Sequence, residues 1–282
     1  MKLKYFIFLI VLSYSSYSLS KSKQLRIAVI DTGFDFNSTW TKYHKRAKDS
    51  NGTYLRKPKL CKNGHRDFTL TGLNDNNGHG THVAGIISKI AGNSNYCLII
   101  IKFYDLESRI TSEKASVLAI KHAIRLNVDI INYSAGGPIF DEIEYTLTKK
   151  ALDMGILFVA AAGNEGYRIN NNVLKFKKYY KFVENKYLKV CDITYINVKT
   201  RHIASNDEKH YYPATYDPRV LSVQNTNKSG KLHKTSNNGY AFNSLENGTN
   251  IESLLPDNKI VFMTGTSQAA AVKTGKIIKN WK

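Results

Sequence analysis

Four short stretches of this sequence bring together residue types that can cleave an acyl bond. Ile30-Asp31-Thr32-Gly33 places an acid at the end of an apolar run. Asn77-Gly78-His79-Gly80-Thr81-His82-Val83-Ala84-Gly85 is a glycine-rich turn leading into an apolar helical pattern. Ala160-Ala161-Ala162-Gly163-Asn164-Glu165-Gly166 closes a second apolar run, and Thr264-Gly265-Thr266-Ser267-Gln268 opens another helix. Singly each is ordinary: an Asx-type turn, a helix start with packed histidines, a serine capping its own helix. Together they offer one candidate for each role in acyl transfer. A serine hydroxyl becomes an effective nucleophile when an imidazole takes its proton. That imidazole must be held in one tautomer by a buried carboxylate. The developing oxyanion needs donors fixed beforehand, such as an amide side chain and an N–H at a helix N-terminus. Ser267, His79, Asp31 and Asn164 fill these roles.

Two other chemistries fail on inspection. His79 and His82 have HxxH spacing, yet no acidic or cysteine ligand is placed to complete a zinc site. DTG also opens aspartic-protease sites, which need two such acids, and the chain has no second DTG or DSG.

The elements that must position these residues read as an α/β fold. Leu25 to Ile30, Leu98 to Phe103, Val128 to Tyr133, Ile156 to Ala160 and Val220 to Val223 are continuous, β-branched apolar runs, which suit strands buried on both faces. Helical patterns lie between them. Ser112 is expected to cap a helix with Ala115, Leu118, Ala119, His122, Ala123 and Leu126 on one face. Asp141 is expected to cap another carrying Ile143, Leu147, Ala151 and Met154, with Gly155 as its stop. The expected architecture is a three-layer domain, a mostly parallel central sheet with helices on both faces, with function at the carboxyl ends of the strands.

The N-terminus begins with Lys2 and Lys4, continues with the apolar run from Tyr5 to Leu12, and ends in serine-rich sequence to Ser20. This predicts a secretory signal peptide over 1–20, an exported chain (secreted or periplasmic) and a domain over 21–282. The run is too short for a membrane span and no second one is long enough. Basic residues outnumber acidic ones by 41 to 22, which admits a nucleic-acid partner, but no zinc-finger spacing, RNP-type motif or basic heptad region accompanies the charge. No specific nucleic-acid partner is therefore expected. Three cysteines in an oxidising compartment allow one disulfide and one leftover thiol. Cys61 with Cys97 is the expected pair, although spacing excludes no other. The stretch 167–212 breaks the alternation of strands and helices. Its ten Lys/Arg interleave with aromatics such as Phe176, Tyr179 and Tyr187, and it is read as an insertion, an edge hairpin whose lysines discourage aggregation.

The chain resembles the subtilisin-like serine proteases (subtilases). The resemblance rests on the four motifs in the order Asp…His…Ser, on Asp129-Ile-Ile-Asn-Tyr-Ser134-Ala-Gly-Gly137, on the block from Tyr212 to Val223 and on Thr235-Ser-Asn-Asn-Gly239. It implies a serine endopeptidase in which Asp31 orients, His79 is the general base, Ser267 the nucleophile and Asn164 the oxyanion-hole amide, with His82 structural. It implies that Ser134, Ala135 and Gly136 form one wall of the cleft, pairing with an extended protein or peptide substrate, and that Ala161, Ala162 and Gly163 form the other, with Glu165 at the rim. Small residues on both walls imply a roomy apolar slot and broad cleavage after large apolar residues at P1, the residue before the scissile bond. No cofactor is expected; the short loop after His82 lacks the family's usual calcium ligands. Lys21 begins almost directly at the first core strand, where relatives carry a pro-segment, and Gln268 stands where they carry Met. These departures leave a catalytically weak, peptide-binding relative as the alternative.

Overall fold

A computed structural model describes residues 23–37, 57–170, 209–257 and 259–281. The expected signal peptide and most of the 167–212 insertion lie outside the described residues, as does Cys191. Seven strands form one parallel sheet: β1 (Leu25–Asp31), β2 (Arg66–Asp67), β3 (Tyr96–Lys102), β4 (Ile130–Tyr133), β5 (Leu157–Ala161), β6 (Leu221–Thr226) and β7 (Ser244–Asn247), in the order β2-β3-β1-β4-β5-β6-β7. An antiparallel pair, β8 (Ile251–Leu255) and β9 (Lys259–Met263), stands apart. Among the described residues there are four helices: α1 (His79–Ala91), α2 (Ser112–Arg125), α3 (Glu142–Asp153) and α4 (Thr266–Asn280).

Strand side chains point alternately to the two faces, and here both faces are dry. Ala28, Ile30, Ile99, Ile101 and Ile131 pack with Ala115, Ala119 and Ala123 of α2 and Ala151 of α3. Ile27, Val29, Leu98, Ile100 and Val159 pack with Val83 and Ile86 of α1 and Ala269 to Ala271 of α4. This is why the centres of β1 (Ile27 to Ile30) and β3 (Leu98 to Ile101) read as continuous apolar runs rather than alternating ones. Each fully buried Ile or Leu contributes about 1.5–3 kcal/mol, so the two cores carry most of the fold's stability. The α/β, three-layer expectation holds.

Two local expectations are corrected. Thr111, not Ser112, caps α2: its backbone is extended and its hydroxyl accepts from Lys114 N–H, whereas Ser112 has already entered the helix. On α3, Asp141 is the cap as expected, accepting from Glu144 N–H at 2.7 Å, but Ile143 and Met154 face solvent. The inward face carries Glu144, Thr148 and Ala151 instead. Glu144 is buried because its carboxylate is met by the hydroxyls of Ser116, Tyr133 (3.3 Å) and Tyr216 (2.8 Å). Burial nonetheless raises its pKa against those three bonds.

Cys61 and Cys97 form a disulfide that ties the segment before β2 to β3, as expected. Among the described residues no helix is long and apolar enough to cross a membrane.

Candidate active site

Asp31 is the last residue of β1 and His79 the first of α1, and the sheet brings them into contact. Asp31, 2% exposed, accepts from His79 Nδ1 at 2.8 Å. A carboxylate can only accept, so the proton sits on Nδ1 and Nε2 is left as the ring's free base. Thr32 N–H donates to the same Asp31 oxygen at 2.8 Å, while the other oxygen is buried without a partner. Burial disfavours the charged imidazole, but the attraction and hydrogen bond of Asp31, with a contribution from Asp75, outweigh it and hold the His79 pKa above its ordinary value.

The turn that starts α1 is organised by two residues not singled out from the sequence. Gly78, the residue before the helix, has φ +94° and offers no capping side chain. Asp75 caps the helix in its place. Its Oδ1 accepts from Gly78 N–H (2.8 Å) and its Oδ2 from Thr81 N–H (2.8 Å) and the Thr81 hydroxyl (2.7 Å). Thr32 then joins the segments that carry Asp31 and His79. Its hydroxyl donates to Asp75 at 2.8 Å and accepts from Gly80 N–H at 2.9 Å. An acid four residues before a helical histidine was the available signal. His82, on the inner side of α1, is fully buried and its Nε2 donates to Val261 O of β9 at 3.2 Å.

Ser267 enters from the other side of the chain, in the first turn of α4. Its hydroxyl donates to Ser134 O at 2.8 Å, and the Ser134 hydroxyl donates back to Ser267 O at 3.2 Å. Asn132 and Thr274 continue the link: Asn132 Nδ2 donates to Ser134 Oγ at 2.9 Å, and Thr274 Oγ1 donates to Asn132 Oδ1 at 2.8 Å. The end of β4 is thereby fastened to α4. Farther along α4, Gly275 lets the helix approach α1 closely enough that an added Cβ would lie 3.1 Å from Ile87 O.

Asn164 is oriented by the same helix. Thr266 N–H can only donate, so the atom facing it at 2.9 Å is the amide oxygen. The Thr266 hydroxyl donates to that oxygen as well, at 3.2 Å. The NH₂ group is left without a protein partner among the described residues. It stands beside the start of α4, where the Ser267 N–H is likewise unclaimed by the helix. Two donors are therefore available at the start of the helix that carries the Ser267 hydroxyl.

The two stretches expected to form the walls differ in how their backbones are engaged. Ala135 and Gly136 have no backbone partner among the described residues, whereas Gly137 is already paired with Tyr212 in both directions (2.9 and 2.8 Å). The opposite wall is held by Asn237, whose Nδ2 donates to Ala162 O at 3.0 Å and whose N–H donates to Gly163 O at 2.9 Å. Asn237 Nδ2 also donates to Glu165 at 2.6 Å, so Glu165 is an engaged carboxylate and not a free rim charge. The slot itself is not empty. A Cβ added at Gly136 would collide with Tyr211 Cε1, and one added at Gly163 would lie 2.7 Å from Tyr211 Cδ2. The Tyr211 ring stands between the two walls, which corrects the expectation of a roomy slot. Burial raises the pKa of its phenol, with the Glu165 carboxylate adding to the shift. Among the described residues no group of three or more His, Cys, Asp or Glu side chains is placed to hold a metal ion.

Comparison with known proteins bears on the family and the fold. The sequence profile described as the subtilase family matches residues 22–279. The major intracellular serine protease of Bacillus subtilis (strain 168) is 28% identical over 268 residues, covering 91% of this chain and 68% of that protein. Subtilisin E of the same organism is 26% identical, covering 87% of this chain and 52% of its own length. The chain thus spans about half to two thirds of these relatives. Among solved structures, a cold adapted subtilisin-like serine proteinase superposes with a TM-score of 0.58 at 20% identity, over 89% of this chain and 72% of that one, a likeness of fold.

Proposed function

The chain belongs to the subtilase family of serine-type peptidases, and we propose that it is an exported endopeptidase acting through Asp31, His79 and Ser267. The observation that carries this is the 2.8 Å bond from His79 Nδ1 to the buried Asp31, which leaves Nε2 as the base. In the proposed reaction Ser267 Oγ attacks the substrate carbonyl carbon and its proton passes to His79 Nε2. The oxyanion is met by Asn164 NH₂ and Ser267 N–H. His79 then gives its proton to the leaving amine, and water, deprotonated by the same nitrogen, releases the acyl group. Side chains and water suffice, so no cofactor is proposed. The unpaired peptide groups of Ala135 and Gly136 suit an extended peptide added as a further strand. The preference for large apolar P1 side chains presupposed an empty slot, and Tyr211 stands in it.

Export is supported by the N-terminal sequence pattern and by the Cys61–Cys97 disulfide, which suits an oxidising compartment. The Bacillus relative is, by its name, intracellular. One observation favours a catalytically weak peptide-binding protein as a second reading: the Ser267 hydroxyl donates to Ser134 O rather than to His79. Rotation about one side-chain bond re-aims it, and hydrogen bonds of this kind tighten once substrate arrives. A fluorophosphonate probe and the Ser267→Ala variant separate the two. An active enzyme is labelled at Ser267, and the variant loses both labelling and hydrolysis, by about 10⁶-fold, the size of the corresponding loss in subtilisin. Absence of labelling in the unaltered chain would favour the binding protein; hydrolysis undiminished in the variant would refute the mechanism.

A further inference from the structure

The two walls of the P1 slot are built from residues with almost no side chain, and the space this leaves is taken by a residue of the chain itself. Gly136 and Gly163 come from the ends of β4 and β5, and both lie against the ring of Tyr211, so closely that neither could carry a Cβ without displacing it. The ring is not a loose surface group. Its backbone carbonyl accepts from Thr215 N–H and from the Thr215 hydroxyl, both at 3.1 Å, and the following residue, Tyr212, is paired with Gly137. The ring is only partly exposed and packs against the core cluster shared by β4, β5, α2 and α3. Behind it stands Glu165, itself bonded to Asn237.

We propose that Tyr211 is the specificity-determining residue of this peptidase: its ring fills the P1 slot and restricts cleavage to bonds that follow small residues such as Ala, Gly or Ser. The proposal rests on the peptidase reading above. A small side chain leaves the ring where it is and lies over its face. A Phe or Leu side chain needs the volume the ring occupies, and would have to displace a side chain whose backbone is held at its own carbonyl and at the next residue. In most apolar slots large side chains win because they bury more area; here that area is already buried, by Tyr211, before substrate arrives.

The test is made on binding, so that it does not depend on turnover. Two product-like peptides, identical except for a C-terminal Ala or Phe, are titrated by calorimetry into the full chain carrying Ser267→Ala. The Ala peptide is expected to bind roughly 10- to 100-fold more tightly, the range over which an apolar pocket discriminates. Adding Tyr211→Phe keeps the ring and should keep the preference; adding Tyr211→Gly should invert it. If the Gly variant fails to fold, judged by its melting curve, the chain with Tyr211 and the Phe variant still decide. Equal or tighter binding of the Phe peptide to the chain with Tyr211 overturns the proposal, and so does failure of both peptides to bind. A chain that binds the Ala peptide selectively, yet is never labelled by fluorophosphonate, would keep Tyr211 as the selector and remove the peptidase.

Discussion

Asn164 carries two separable duties, and replacing it in two ways should pull them apart. Its oxygen accepts from Thr266 N–H at 2.9 Å and from the Thr266 hydroxyl at 3.2 Å, an interaction present before any substrate arrives. In the proposed reaction its NH₂ group meets an oxygen that becomes anionic only during reaction. Asn164→Ala removes both. Loss of the first should cost about 0.5–1.5 kcal/mol of stability, the net worth of a hydrogen bond at a partly exposed site. That corresponds to a fall in Tm of roughly 1–6 °C for a chain of this size. Loss of the second should lower kcat by about 10² to 10³ with KM nearly unchanged, the range known for an oxyanion amide in subtilisin. Asn164→Asp keeps acceptors for Thr266 and so should melt close to the unaltered chain. It places a negative charge where the oxyanion must form, so its kcat should fall at least as far as that of the Ala variant. Steady-state kinetics on one peptide ester and thermal melts on three proteins suffice. An Asp variant with normal kcat, or an Ala variant whose only defect is a raised KM, would refute the assignment.

Three further outcomes follow from the same contacts. Because His79 must be neutral to act as base and its pKa is raised, kcat/KM should fall as pH drops through a value above 6.5, and Asp31→Asn should move that limb to lower pH while reducing kcat; an unmoved limb would mean another group titrates. His82 is buried and its pKa is lowered to about 4, chiefly by burial, with His79 adding and the Val261 and Ile251 carbonyls opposing. Its unfolded form takes up a proton near pH 6.5 that the folded form refuses, so stability should fall by roughly 3 kcal/mol between pH 6.5 and 4 and then level off. Denaturant melts of His82→Gln should show a flatter dependence across that window, and an identical slope would exclude His82 as the cause. Replacing both Cys61 and Cys97 by Ala should cost about 4 kcal/mol, from the 36-residue separation that the bridge closes in the unfolded chain; a variant as stable as the parent in the same melts would show that the unfolded ensemble is not so restrained.

The sheet was readable in advance because strand segments buried on both faces have no choice but to be apolar, as Ile27 to Ile30 and Leu98 to Ile101 are. Asp31, His79, Asn164 and Ser267 were readable because each sits where a strand ends or a helix begins. Helix α3 was misread where a rule gave way to its exception: a carboxylate belongs outside unless hydroxyls meet it, and Ser116, Tyr133 and Tyr216 come from three distant stretches. Strands β7, β8 and β9 are short and partly polar, and their pattern competes with that of loops. The roles of Asp75 and Asn237 depend on which backbone groups they meet, and side-chain type alone does not disclose that. Tyr211 was hidden for a related reason. Small residues at 134–136 and 161–163 announce a space, but not that a ring more than forty residues further along the chain fills it.

The proposed acid and base, Asp31 and His79, lie far ahead of the proposed nucleophile in the chain, for Ser267 rides on α4, which packs against α1. Ribosomes deliver chains N-terminus first. The proposed acid and base are therefore made long before the hydroxyl they would activate. In the proposed reaction, hydrolysis must wait until the segment around Ser267 has emerged and docked.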